Sequence, residues 1–260
     1  MEINNIKALI LDMDGVLWRG GMPLGDLQTI FSKINQIGLQ YTFATNNATR
    51  HIDEYLEKIS GFGIPVKSEQ IFTSAKATAE YLKEIHPEGG IVFVVGEKGL
   101  KRTLEEYGFS LGDKDVIAVV AGLDTEINYS KLSQATMLIR NGAPFIGTNP
   151  DLTYPIPEGL APGAGAIIAS IEASTGVKAE IIGKPRPVMF QQAMSFLGTT
   201  PDETLVVGDR LETDIAGGQA AGCRCAVVLT GVSTQEMAEA WKPDPDIICE
   251  SLTKLVELIK

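Results

Sequence analysis

Asp12 and Asp14 stand two residues apart in Asp12-Met13-Asp14-Gly15-Val16, directly after the apolar run Ile6 to Leu11. Two carboxylates in one turn repel each other unless a cation lies between them or one of them keeps a proton. The pair can therefore hold a hard, oxygen-seeking metal ion, or divide the work between a charged acid and a proton donor. A solvated acidic turn is the plain alternative.

Other polar groups recur further along, each at the end of an apolar run. Thr45-Asn46-Asn47 offers a hydroxyl and two amides, a neutral and donor-rich end suited to an anion. Gly183-Lys184-Pro185 offers one cation, and Gly208-Asp209-Arg210 with Thr213-Asp214 offers two more carboxylates. Taken singly, each has a bland reading. Thr45 to Asn47 would cap a helix beginning near Thr49, with Arg50 one residue into it. Lys184 would be a surface residue, and Asp209 a helix cap. Brought to one sheet edge with Asp12 and Asp14, they supply carboxylates for a divalent cation, one fixed cation and a hydroxyl donor. Phosphoryl transfer needs that inventory, because its catalysis is mainly positioning and neutralisation of oxygen charge.

The elements that must position these groups alternate along the chain. Ile6 to Leu11 is too short for a helix and apolar enough for a buried parallel strand. Trp18 to Gly25 reads as a loop or flap. Leu27, Ile30, Phe31, Ile34 and Ile37 fall at helical spacing, and Gly38 ends that helix. Tyr41 to Thr45 is the next strand and Ser74 to Glu84 a helix. A smaller alternating block follows, with strands at Ile91–Val95, Val116–Ala121 and Phe145–Thr148. Its helices are expected at Lys98–Tyr107, Ser130–Arg140 and Gly165–Ser174. The Pro- and Gly-rich stretch Asn149 to Gly165 is its longest loop, and loops of that length are commonly functional. The first pattern then resumes. A helix is expected over Val188–Leu197, a strand over Thr204–Val207, and a helix over Asp214–Ala221. Strands at Arg224–Leu229 and Ile247–Cys249 and a helix at Leu252–Ile259 close the chain.

This order predicts an α/β protein with a doubly wound parallel sheet in two sequence pieces, 1–76 and 181–260. An α/β cap domain over 77–180 is inserted between them. Ligands of such sheets bind outside the carboxyl ends of the strands, which is where the polar groups fall.

A formal charge of −11 argues against nucleic acid or an anionic membrane as a partner, since both need a basic face. An anionic substrate would have to be held by local groups: a metal ion, one lysine and backbone amides. No stretch reaches the roughly 20 apolar residues of a membrane helix, and the chain enters a strand without a charged-then-apolar leader, so a cytoplasmic location is expected. Cys223, Cys225 and Cys249 with only two histidines lack zinc spacing and read as buried structural thiols. His51 and His86 lie in polar stretches and read as surface residues.

The motifs together resemble the haloacid-dehalogenase superfamily of aspartate-dependent phosphatases, within it the branch of p-nitrophenylphosphatases and NagD-like proteins. Asp12 to Trp18, Thr45 to Asn47, Gly183 to Pro185, Gly208 to Arg210 and Thr213-Asp214 carry the resemblance. Thr148 to Asp151 and Thr230 to Val232 add to it. The resemblance implies Asp12 as nucleophile, forming an aspartyl-phosphate, and Asp14 as general acid and then base. It implies Mg2+ as cofactor, held by the Asp12 carboxylate, the Asp14 carbonyl and Asp209, with Asp214 orienting metal-bound water. Thr45, Asn46 and Asn47 would bind phosphoryl oxygens, and Lys184 would keep Asp12 ionised and screen the phosphate. The implied partner is a small phosphorylated metabolite, and assembly of identical chains through the cap is compatible with it.

The cap is expected to choose the substrate. Asn149, Asp151 and the turn Gly163 to Ala166 are the candidates for contact with the leaving group, close packing at a helix start being the alternative for the glycines. A phosphorylatable signalling module would be about half as long and would need neither Asp14 nor a cap. A dehalogenase would need no acid at position 14. A dinucleotide-binding oxidoreductase is excluded, because no G-x-G-x-x-G follows the first strand. A phosphotransferase or mutase stays open, since the intermediate could pass its phosphoryl group to an acceptor other than water.

Overall fold

The computed structural model describes residues 5–156 and 159–259. The chain separates into two compact units. The first comprises Met1–Thr45, Tyr55–Phe72 and Lys184–Lys260, and the second Asn46–Glu54 and Thr73–Gly183.

The first unit is built on a six-stranded sheet ordered Ile247–Cys249, Arg224–Val228, Thr204–Gly208, Ala8–Leu11, Gln40–Thr45, Ile71–Thr73. The four ladders from Ile247–Cys249 to Gln40–Thr45 are parallel. Ala8 to Leu11 are fully buried, as expected of a central strand covered on both faces. Register explains why the polar groups converge. Leu11 pairs with Val207 on one side and with Phe43 on the other. Asp12 therefore emerges between Asp209 and Thr45, on the edge where all three parallel strands end. Helix Leu27–Gln36 buries Leu27, Ile30, Phe31 and Ile34, with Asp26 accepting from the Thr29 amide at its N-cap (3.1 Å).

Three local readings of the sequence are corrected in this unit and at its borders. The stretch after Val16 is not all loop: Trp18–Arg19 and Met22–Pro23 pair as a short antiparallel hairpin. The helix after Thr45 starts at Ile52, not near Thr49. Asn47 Oδ1 instead accepts from the Thr49 amide (3.0 Å) and hydroxyl (2.7 Å), an Asx turn that satisfies the backbone outside a helix. Arg50 accordingly lies before the helix. The segment after Asp209 opens as a wide π-type turn, Leu211–Ile215, before α-helix Ala216–Ala220.

The second unit has its own five-stranded parallel sheet, ordered Glu180–Ile181, Phe145–Gly147, Val116–Ala121, Gly90–Val95, Phe109–Leu111. Val95, Val119, Ala121, Phe145, Ile168 and Ile171 belong to its core. Edge strand Phe109–Leu111 has no counterpart in the sequence-based reading, because three residues with only Phe109 buried leave no periodic signal. The expected long loop contains an antiparallel hairpin, Thr153–Ile156 with Gly159–Pro162. Helix Ala164–Thr175 begins against Pro150 and Asp151: the Gly165 amide donates to Asp151 O (2.9 Å), and a Cβ at 165 would fall 2.2 Å from Pro150 O.

His51 is not a surface residue. It is buried, its Nε2 2.8 Å from Glu106 Oε2 and its Nδ1 3.1 Å from Asp53 Oδ2. Arg102 ties the two carboxylates together, at 2.7 Å from Asp53 and 3.0 Å from Glu106. The three cysteines are buried free thiols.

Candidate active site

Lys184 is 2% exposed and donates to Asp12 Oδ1 (2.6 Å), Asp214 Oδ1 (2.6 Å) and the Ala44 carbonyl (2.8 Å). Such burial is tolerable for an ammonium only with charged partners. Burial pulls its pKa down, but the Asp12 and Asp214 carboxylates outweigh that pull and hold it above the usual lysine value. Asp12, Asp209 and Asp214 are all buried and each brings a carboxylate oxygen within 4.8 Å of the others. Burial pushes the Asp12 carboxyl well above its ordinary range against the pull of Lys184, and Asp214 and Asp209 push it further. Burial and the Asp214 charge raise Asp209 to about 7.

Three carboxylates against one ammonium leave an excess of negative charge in a dry place. Oxygen donors of that kind suit a hard divalent cation, so the residues present fit the metal that the sequence motifs imply. The backbone organises them in advance. Asp214 Oδ2 accepts from the Arg210 amide (3.1 Å) across the π-type turn. Asp209 is clasped by a loop remote in sequence: Val232 N–H donates to its Oδ2 (2.7 Å) and Ser233 N–H to its carbonyl (3.0 Å). Thr230 Oγ1 donates to Gly15 O (2.5 Å), which ties that loop to the turn carrying Asp14. Two positions against Asp209, 231 and 15, have no room for a side chain. A Cβ at 231 would fall 1.7 Å from Asp209 Oδ2, and one at 15, where φ is +91°, would fall 2.4 Å away.

Asp14 is half-buried, and its Oδ1 accepts from the Trp18 indole N–H (2.7 Å). Thr45 is buried at the end of its strand. The first unit thus gathers Asp12, Lys184 and Asp214 into one hydrogen-bonded array with the Asp209 carboxylate beside it, and Asp14 and Thr45 lie on the same sheet edge.

Asn46, Asn47, Asn149 and Asp151 belong to the second unit. Three of them form a polar knot. Asn149 Nδ2 donates to Asn46 O (2.7 Å) and Thr148 Oγ1 (3.3 Å), and its Oδ1 accepts from Asp151 N (3.1 Å). Asn46 Nδ2 donates to Asp151 Oδ2 (3.1 Å), and Ser74 Oγ donates to Asn46 O (2.6 Å). Asn47 makes the Asx turn described above.

Residue types and spacing pointed to every member of the carboxylate–lysine array. They assigned no role to Trp18, Ser233 or the Val232 amide. Val232 and Ser233 act through backbone N–H groups that any residue carries, so Thr230-Gly231-Val232 was visible only as a stretch of resemblance.

A haloacid dehalogenase-like hydrolase model matches residues 9–110, and a HAD-hydrolase-like model matches residues 181–255. The chain is 36% identical over 253 residues to 5'-nucleotidase YutF of Bacillus subtilis, covering 97% of this chain and 98% of that protein. It is 40% identical over 231 residues to an acid sugar phosphatase of Staphylococcus aureus, covering 88% and 89%. Among solved structures, the 4-nitrophenylphosphatase of Thermotoga maritima superposes with a TM-score of 0.93 at 32% identity, over 99% of both chains. With that sheet order, that array of carboxylates and those relatives, the chain belongs to the haloacid dehalogenase-like hydrolases, on the branch that holds these phosphatases.

Proposed function

We propose that the protein is a cytoplasmic, magnesium-dependent phosphatase that hydrolyses small phosphate monoesters through an aspartyl-phosphate on Asp12. The observation that carries this reading is Lys184 bonded at 2.6 Å to both Asp12 and Asp214, within a cluster of three buried carboxylates. Magnesium, held by Asp12, Asp209 and the Asp14 carbonyl with Asp214 supporting its water shell, would neutralise charge on the phosphoryl oxygens.

Lys184 fixes Asp12 Oδ1, so Oδ2 makes the attack on phosphorus. The new Asp12–phosphorus bond forms as the ester oxygen departs, and that oxygen takes the proton of the Asp14 carboxyl. Asp14, now a carboxylate, accepts a proton from the water that attacks the aspartyl-phosphate. Inorganic phosphate leaves, and Asp12 is again a carboxylate. Thr45, Asn46 and Asn47 hold phosphoryl oxygens in this scheme. Residues 77–180 are the inserted cap in this scheme, and Asn149 and Asp151 there take part in choosing the leaving group.

Relatives named for nucleotides, sugar phosphates and an aryl phosphate support a substrate class of small monoesters. The charge of −11 also fits a small anion drawn in by local groups better than a polyanion or a membrane. No helix among the described residues is long and apolar enough to cross a membrane.

A phosphate-release screen over nucleoside monophosphates, sugar phosphates and p-nitrophenyl phosphate tests the reading, with magnesium present and no acceptor added. Release of phosphate that disappears with a chelator and in Asp12→Asn is expected. Undiminished release in excess chelator would overturn the metal-assisted scheme, and no release of inorganic phosphate, with phosphorylation of an added acceptor instead, would make the protein a phosphotransferase.

A further inference from the structure

We infer that Trp18 is a positioning residue for the proton donor: its indole N–H fixes Asp14 Oδ1 so that Oδ2 faces the leaving group with the proton. This deepens the phosphatase reading and rests on the role given there to Asp14.

The geometry is built by the chain around the first strand. Met13 O accepts from the amides of Val16 (3.3 Å), Leu17 (2.8 Å) and Trp18 (3.3 Å), and the Gly15 amide donates to Trp18 O (2.7 Å). This tight turn brings position 18 back over position 14, and the two residues form an isolated bridge. Trp18 is 1% exposed, yet its N–H ends on Asp14 Oδ1 at 2.7 Å. A buried indole almost always needs such a partner.

The ring itself is clamped. Lys58 Nζ stands 3.8 Å from the ring centroid while also donating to Gly20 O (3.2 Å), and Phe62 lies at 5.9 Å between centroids, tilted by 32°. A cation over the face polarises the indole and strengthens its N–H as a donor.

The chemical consequence is asymmetry within one carboxyl group. An oxygen that accepts a fixed N–H bond is a poor place for the acid proton, so the proton sits on Oδ2. When the ester bond breaks, Oδ2 passes that proton to the departing oxygen, and Oδ1 keeps the indole bond throughout. The carboxylate left behind keeps its orientation for the second step, in which Oδ2 takes a proton from water. Without the indole bond the carboxyl rotates, and the proton is shared between two oxygens of which only one is aimed.

The test replaces Trp18 site-specifically by 3-benzothienylalanine, which keeps the bicycle and puts sulfur in place of N–H. Trp18→Phe serves as the genetically encoded partner. Turnover in the intermediate-forming step is compared for an alkyl phosphate, whose leaving group needs the proton, and p-nitrophenyl phosphate, whose leaving group does not. About a tenfold greater loss for the alkyl ester is expected, with KM and magnesium dependence unchanged. A loss equal for both esters would overturn the inference, since a merely structural residue would act in that way. Asp14→Asn supplies the control. If it spares aryl over alkyl turnover and the Trp18 variants do not, the positioning role fails while the phosphatase scheme stands. If Asp14→Asn itself shows no leaving-group dependence, the role of Asp14 fails, and this inference with it.

Discussion

Lys184 and Asp214 meet at 2.6 Å, with 2% and 3% of their side chains exposed, although Asp214 is not the residue placed at phosphorus. The lysine is therefore shared: the contact that holds it against Asp214 also sets its reach to Asp12. One ammonium placed between two buried acids offsets the charge of both, and in the proposed scheme it also poises the nucleophile.

Removing that charge should show both effects. Lys184→Met leaves Asp12 and Asp214 without their bonded cation and Asp209 without a nearby positive charge. Breaking one partner out of a buried ion pair typically costs about 3–5 kcal/mol. Thermal unfolding in chelator should fall accordingly, and millimolar magnesium should restore part of the loss by binding only the folded state. Turnover should drop by orders of magnitude in either condition. A variant as stable as the parent in chelator would contradict this account of the cluster.

The clasp on Asp209 gives a sharper test, because the altered residue carries no functional group. A Cβ at 231 would sit 1.7 Å from Asp209 Oδ2, so Gly231→Ala must push the carboxylate or the loop aside. The expected phenotype matches Asp209→Asn, with weakened magnesium binding by calorimetry and lost turnover in a protein that still folds. Wild-type magnesium affinity in Gly231→Ala would show that the loop does not position Asp209.

Magnesium affinity should depend on pH with a definite sign. In the metal-free protein, burial and Asp214 raise Asp209 to about 7, so at pH 6 it largely keeps its proton. The metal needs the carboxylate and must displace that proton, so apparent affinity rises with pH through about 7. The same shift means the folded metal-free state holds a proton the unfolded chain releases near its ordinary pKa of about 4. Its contribution to stability therefore falls as pH rises between those values. Titration calorimetry in buffers of different ionisation enthalpy reads the released proton directly. Proton-free binding at pH 6 would refute the assignment.

The first unit was legible because its information is local. Ile6 to Leu11 is apolar without interruption, and each strand end carries its chemical group one or two residues on, so order and spacing sufficed. Where contacts span long separations, the sequence was mute. His51 reads as a surface residue from its polar neighbours, yet its partner Glu106 lies 55 positions away, at the end of helix Lys98–Glu106. The start of the helix at Ile52 was misplaced because Asn47 satisfies Thr49 through an Asx turn, which competes with helix capping for the same residue types. The hairpin within 149–165 did have a cue: Pro157, Glu158 and Gly159 form a turn signal between Thr153-Tyr154 and Leu160-Ala161. Its prolines masked the strands.

Asn149 and Asp151 should separate from one another under substitution. The Asn149 side chain is spent inside the second unit, donating to Asn46 O and Thr148 Oγ1 and accepting from Asp151 N. It is buried, so Asn149→Ala strips partners from buried groups at a cost of about 1–3 kcal/mol. Asp151 is half-buried, and its Oδ2 accepts a bond from Asn46 Nδ2, so Asp151→Ala should cost much less stability. Its effect should appear instead in the ranking of substrates. If Asp151 takes part in leaving-group choice, Asp151→Ala changes relative kcat/KM among sugar phosphates, nucleoside monophosphates and p-nitrophenyl phosphate while magnesium affinity stays constant. Thermal unfolding and a substrate panel on the two variants decide the matter. An unchanged panel for Asp151→Ala, with Asn149→Ala acting only on stability, would move leaving-group choice to the turn Gly163 to Ala166.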